Sequence, residues 1–320
     1  MGKIHAENIR YYLPGIHLKA VADIKLDFDW ARKLDIEVLD QDMNVILNDP
    51  QIDSVVIATP SSTHVDIICA AAQAGKHIFC EKPIAFNTEG IRKAGHAVTQ
   101  AGVLFQVGFN RRFDPDFNHV HKNVKDGKIG SVQIIKITNR DPIRPDLAFI
   151  PDSGGLFMDF CIHDFDTVRF ISGCEVKEIF VLGAALIDQE IMKLGDIDTA
   201  LLTLTLSNGA LCVIDVSRET NYGYDQQIEV FGSKGSVRAQ NITPTRTVVS
   251  TADGVWSDKP HYSFIERYDA SYKAELKSFF NSVRTGNSPT VGFSDALAAV
   301  KIANSAKQSF KHNKPERIGS

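Results

Sequence analysis

Over its first 110 residues the chain alternates short apolar strands with helices that stop at glycine, and this rhythm limits the fold more than any other feature. DSVVIATP (residues 53–60) is a β-branched run, and a helix over 63–74 follows it and halts at Gly75. KHIFCEKP (76–83) is the next strand, a helix over 88–100 ends at Gly102, and VLFQVGFN (103–110) closes the series. Strands joined by helices of about a dozen residues form right-handed βαβ crossovers and a parallel sheet. Upstream, residues 2–13 read as a helix and 16–22 as a strand.

Beyond residue 110 the texture changes to long alternating strands. Leu202, Leu204 and Leu206 alternate with Thr203 and Thr205, and Ser207-Asn208-Gly209-Ala210 then supplies a hairpin turn. Asn-Gly predicts a type I′ turn, whose two central residues both need positive φ. Residues 227–240 repeat the hairpin through Gly232-Ser233-Lys234-Gly235, and the tail from 269 to 311 is helical, broken at 286–289. The expected architecture is a parallel-sheet α/β domain over 1–110, followed over 111–320 by an open, mostly antiparallel sheet with helices on one face.

The net charge is −4 with no basic run, which argues against nucleic acid or an anionic membrane as partner. No stretch reaches the roughly 18–20 unbroken apolar residues of a membrane span, and no secretory leader opens the sequence. The five cysteines are odd in number and show no CxxC spacing, so free thiols in a reducing cytoplasm are expected.

Ligands of open α/β sheets bind beyond the carboxyl ends of the strands. Those ends here are Asp23, Thr59-Pro60-Ser61, Glu81-Lys82-Pro83 and Asn110-Arg111-Arg112. An acid in the position of Asp23 accepts both ribose hydroxyls of an adenosine and repels a 2′-phosphate, favouring NAD over NADP, with Lys25 as the opposing charge nearby. In the stretch over 153–170, Asp159 and His163 are four apart on one helix face, and Asp166 follows three beyond. Such a pair suits a general base with an orienting carboxylate, or equally an exposed helix pair. No third histidine or cysteine stands at a matching offset, so no metal is expected.

CEKPIAFN, ATPSSTHVD, GFNRRFDPDF and GGLFMDFCIHDFD together resemble the glucose–fructose oxidoreductase/inositol dehydrogenase superfamily, most strongly its bacterial inositol 2-dehydrogenases. The likeness runs the length of the chain, through DIDTALLTLTL, YGYDQ and RYDASYKAELKSFF. It implies a Rossmann domain joined to a substrate domain, with NAD as cofactor and a homotetramer or homodimer as the assembly. It further implies that Lys82 hydrogen-bonds the reacting hydroxyl while Asp159 and His163 form the acid–base pair. Arg112, Asp166, Tyr222 and Tyr224 would line a polyol pocket. Gly2, Ile4, Asp23, Thr59, Pro60, His64, Glu81, Lys82 and Asn110 would contact the dinucleotide. The Lys82–Pro83 bond is commonly cis in such proteins.

The same family begins with a strand and a G-x-G-R-(Met or Ile)-G turn. Met1-Gly2-Lys3-Ile4-His5 matches only the tail of that turn, so a start set inside the motif is expected, leaving neighbouring strands without a ladder partner. The implied activity is oxidation of myo-inositol at one secondary alcohol to a ketone. Alternatives are scyllo-inositol or a pyranose as substrate, a non-catalytic nucleotide- or sugar-binding regulator, and a metal-assisted lyase or isomerase.

Overall fold

The computed structural model describes residues 1–319 in two compact units. The first comprises Met1–Asn110 with Tyr272–Leu297, the second Arg111–Ser271 with the chain from Ala298 on.

The first unit carries α1 (Gly2–Tyr12), β1 (Ala20–Ala22), α2 (Phe28–Lys33), β2 (Val38–Asp40), α3 (Asn44–Leu47), β3 (Ser54–Ile57), α4 (His64–Gln73), β4 (His77–Glu81), α5 (Thr88–Ala101) and β5 (Phe105–Gly108). All strand pairs in it are parallel, in a two-stranded sheet β1-β2 and a three-stranded sheet β3-β4-β5. Among the described residues β1 pairs only with β2 and β3 only with β4. The helices follow local chemistry. The Asn87 side chain accepts the Gly90 amide at 2.8 Å to start α5, which buries Ile91, Ala94 and Val98 on one stripe and ends at Gly102 with φ of 66°.

In the second unit lie α6 (Pro115–Lys125), β6 (Val132–Arg140), α7 (Ile150–Ser153), α8 (Ile162–Ser172), β7 (Val176–Ala184), α9 (Gln189–Lys193), β8 (Thr199–Leu206), β9 (Leu211–Ser217), β10 (Asp225–Gly232), β11 (Gly235–Ala239), β12 (Val248–Thr251) and β13 (Gly254–Ser257). Helices α10 (Phe264–Thr285) and α11 (Phe293–His312) and strand β14 (Glu316–Arg317) complete the chain. The seven-stranded sheet runs β11-β10-β6-β9-β8-β7-β14, antiparallel at every pair except β6–β9. It is therefore mixed. Ala200, Leu202, Leu204 and Leu206 of β8 are buried while Leu201 and Thr203 are exposed, which is the alternation the sequence shows.

Two local expectations change. Residues 272–297 return to the first unit, because Leu276, Phe279 and Phe280 of α10 complete a core with Ile9 of α1, Leu13 just after it and Phe79 of β4. The β8–β9 hairpin is not type I′: Asn208 keeps a negative φ, and only Gly209 is left-handed, at 87°. The Gly209 amide donates to Leu206 O at 3.0 Å and the Leu206 amide to Ala210 O at 2.8 Å, the pattern of a three-residue loop with a glycine bulge. One backbone position with positive φ is enough to reverse the strand.

Candidate active site

Each unit carries its own set of polar groups. In the first, Asp23 lies just beyond β1, exposed, and its Oδ1 accepts the Lys25 amide at 2.8 Å. It borders an open groove of about 630 Å³ lined also by Lys3, Lys25, Leu26, Asp27, Phe28 and Asp29. Lys3, in the first turn of α1, reaches Asp27 Oδ2 at 2.5 Å. A solvent-facing carboxylate beside a helix N-terminus suits a ribose and a dinucleotide phosphate, so these residues fit the implied cofactor. Gly2 opens α1 and Ile4 is half-buried on it.

At the end of β3, Thr59 and Pro60 are exposed, and the Thr59 hydroxyl pairs with that of Thr63 at 2.8 Å. His64 does not offer its ring to a ligand. It is buried, with Nδ1 2.9 Å from Pro83 O and Nε2 2.8 Å from Thr59 O, so it braces the loop after β3 against the loop after β4. Lys82 is half-buried and the Lys82–Pro83 peptide is cis. Asn110 is buried in the turn after β5.

Glu81 also departs from the expected cofactor contact, because its side chain turns into the core. Its Oε1 lies 2.6 Å from His5 Nε2, and Gly108, its neighbour across β4–β5, has no side chain to block the carboxylate. Burial pushes the Glu81 carboxyl up, but the hydrogen bond and charge of His5, with the Lys82 charge, outweigh it and the net direction is down. Glu275 of α10 completes this cluster, its ligand atoms within 4.8 Å of those of His5 and Glu81. Neither Glu275 oxygen has a hydrogen-bond partner among the described residues. Burial first, then the Glu81 charge, raise its carboxyl well above the ordinary range. The two carboxyls are thus driven in opposite directions, Glu81 down by His5 and Glu275 up by burial.

In the second unit Asp159 and His163 are not on one regular helix. Leu156–Phe160 forms a π-helical turn and α8 begins only at Ile162, so four-residue spacing does not stack them as an α-helix would. Gly155, with φ of 82°, starts that turn where a Cβ would lie 2.8 Å from Asp196 Oδ1, and the Asp196 carboxylate accepts the Leu156 amide at 3.0 Å. Asp159 Oδ2 accepts from Arg218 Nη1 at 3.0 Å. His163 is half-buried on the first turn of α8.

Arg112 and Asp166 are brought together as partners, with Nε to Oδ2 at 2.8 Å and Nη2 to Oδ1 at 2.6 Å. Tyr222 donates its hydroxyl to Asp225 Oδ2 at 2.6 Å and accepts from Arg140 Nη1 at 2.9 Å. Tyr224 is buried edge-on to Tyr268 rather than open to a pocket, and burial holds its phenol well above the usual range and neutral.

Beneath these groups runs a buried network that the sequence reading did not pick out. Arg111 Nη1 donates to Asp164 Oδ1 at 2.5 Å, Asn139 Nδ2 to Asp164 Oδ2 at 2.7 Å, Gln226 Nε2 to Asn139 Oδ1 at 2.6 Å, and Tyr268 OH to Gln226 Oε1 at 3.1 Å. It joins the Arg111-Arg112 turn and α8, which carry Arg112 and His163, to β6 and to β10, which directly follows Tyr224. Its members lie far apart in sequence, so no local spacing could reveal it. Arg218 was missed for the same reason, 59 residues from Asp159.

Residues 1–109 match the oxidoreductase family with an NAD-binding Rossmann fold, and residues 117–238 match the GFO/IDH/MocA C-terminal domain. An uncharacterized oxidoreductase of Bacillus subtilis is 46% identical over 99% of this chain and 94% of its own length. The myo-inositol 2-dehydrogenase of Thermotoga maritima is 40% identical over 99% of this chain and 96% of its own. The crystal structure of scyllo-inositol dehydrogenase from Lactobacillus casei, with NAD(H) and scyllo-inositol bound, superposes with a TM-score of 0.93 at 30% identity, covering 100% of this chain and 96% of that one. A parallel-sheet unit with an acid beyond its first strand, a Glu-Lys-Pro strand end, a mixed-sheet unit bearing an acid and a histidine, and relatives along the whole length lead to one assignment: the chain belongs to the GFO/IDH/MocA family of NAD-binding oxidoreductases.

Proposed function

We propose that this protein oxidises one secondary alcohol of myo-inositol to a ketone, with NAD as the hydride acceptor. The observation that carries the reading is 40% identity, along nearly the whole chain, to a myo-inositol 2-dehydrogenase, with Lys82, Asp159 and His163 all present. When bound, NAD supplies an electrophilic nicotinamide carbon that takes the hydride from the substrate C–H.

The chain's own residues manage the proton and the charge. A His163 ring nitrogen takes the hydroxyl proton as the C–H bond breaks and the C=O bond forms. Lys82 donates a hydrogen bond to the same oxygen and stabilises negative charge growing there. Asp159 holds the imidazole oriented and stabilises its cationic form. Arg112 with Asp166, and Tyr222, offer polar groups to the remaining hydroxyls. Asp23 accepts hydrogen bonds from the adenosine ribose.

Oxidation of scyllo-inositol is the second reading, favoured by the likeness to the Lactobacillus casei enzyme solved with that polyol. Initial rates of NADH formation from myo- and scyllo-inositol, run side by side with and without a chelator, test both. A higher kcat/KM with myo-inositol, unaffected by chelation, supports the first reading. A reversed preference selects the second. No turnover of either polyol by cofactor-binding protein would leave the fold a binding regulator.

The sheet of the second unit supports a homo-oligomer. Leu182, Leu201 and Leu211 are 54, 52 and 55% exposed on one face, joined by Ile134 and Phe231, and in register Phe231, Ile134 and Leu211 lie in one row across three strands. An exposed apolar row of this kind supports a contact with a second copy of the chain. Five free cysteines suit a reducing cytoplasm, and among the described residues no helix is long and apolar enough to cross a membrane.

A further inference from the structure

Arg218 stands immediately after β9, and its place is set from two sides. Its amide donates to Asp198 O at 2.9 Å. Asp198 is itself buried, and its carboxylate accepts the amides of Leu186, Ile187 and Asp188 and the hydroxyl of Thr199. The Arg218 side chain folds inward over the Phe160 ring, 5.1 Å from its centroid, leaving the residue 3% exposed. Nη1 reaches Asp159 Oδ2 at 3.0 Å, while Nη2 is buried without a hydrogen-bond partner among the described residues.

A guanidinium taken out of water is costly unless it meets an opposite charge. Asp159 is the carboxylate within ion-pair range of it. Asp159 differs from its partner in exposure: its side chain is 22% exposed and that of Arg218 4%. The cation therefore sits on the inner side of a carboxylate whose outer side is reachable. Asp159 occupies a π-helical turn, its amide donating to Gly155 O at 2.9 Å, and Arg218 grips its carboxylate from the buried side.

We propose that Arg218 is a positioning residue for the reaction: it holds Asp159 by Oδ2, so that the carboxylate keeps one orientation toward the imidazole it serves. Arginine suits this task because its planar fork, stacked on an aromatic ring, allows less freedom than a lysine ammonium. The inference rests on reading Asp159 and His163 as the acid–base pair.

The test is a kinetic double-mutant cycle on the full chain with myo-inositol and NAD, using R218Q, D159N and the pair, with R218K beside them. R218Q is expected to lower kcat on the order of 10- to 100-fold with KM for NAD within about twofold. In the D159N background the same change is expected to cost less than about twofold, since there is no longer a carboxylate to orient. R218K, which keeps the charge without the fork, is expected to lie between wild type and R218Q, and it supplies the measurement if R218Q does not fold. Equal fold losses in both backgrounds would overturn the proposal, as would wild-type turnover in R218Q. Wild-type turnover in D159N would instead overturn the acid–base reading, and Arg218 would lose its role with it.

Discussion

Arg112 grips Asp166 with two parallel hydrogen bonds, at 2.8 and 2.6 Å, and the carboxylate at the far side of that fork is almost fully buried. The guanidinium also lies over Phe170, 5.4 Å from its centroid. Two residues expected to line a polyol pocket are thus one paired unit, and any hydroxyl they bind meets a paired charge. Arg112→Ala leaves a buried carboxylate without its bidentate partner and is expected to cost about 3–5 kcal/mol of stability. R112Q combined with D166N removes both charges and is expected to cost much less. Urea unfolding of the three proteins checks this; equal losses for the single and the double change would contradict it.

Lys82 and His163 carry the proton chemistry in the proposed reaction. Lys82→Ala and His163→Ala are each expected to lower kcat by about 10²- to 10⁴-fold, with NAD affinity by fluorescence titration changed less than about threefold. Near-wild-type turnover in either variant would remove that residue from the mechanism.

Glu275 ties stability to pH. Burial and Glu81 hold its carboxyl well above the ordinary value of 4.5 in the folded protein, whereas in the unfolded chain it ionises near that value. The folded state thus loses ground as pH rises from about 4.5 toward the folded value. In E275Q the side-chain amide ionises in neither state. Relative to that variant, the wild type is expected to lose about 1.4 kcal/mol per pH unit across the same window. Unfolding free energies of both proteins, measured across mildly acidic to neutral pH, read the slope, and parallel profiles would contradict the assignment.

Asp23 sets cofactor choice in the proposed function. D23A is expected to raise KM for NAD on the order of tenfold, about 1.4 kcal/mol, and to narrow the discrimination against NADP. Unchanged KM values for both dinucleotides would detach Asp23 from the ribose.

The apolar sheet face gives a prediction on assembly. Leu201→Asp with Leu211→Asp is expected to reduce the mass seen by light scattering to that of one chain, because two charges would be buried without partners at a subunit contact. A wild-type protein already running as a single chain would refute the interface.

Local rules carry much of this molecule. The apolar runs and glycine stops over residues 53–110 mark β3, α4, β4, α5 and β5 because short β-branched strands and helix caps depend on near neighbours in the chain. The alternation around Leu202 assigns the buried face of β8 for the same reason, and the motif likeness placed Lys82 at a strand end beside a cis peptide. What only the tertiary structure decided involves groups that meet across long separations. The turn of Glu81 toward His5, the bracing of two loops by His64, the pairing of Arg112 with Asp166, the return of residues 272–297 to the first unit and the Arg218 grip on Asp159 all depend on which faces of separate elements pack together. A buried charge is stable only where its partner arrives, and that partner is chosen by the packing of the whole fold, not by its neighbours in sequence.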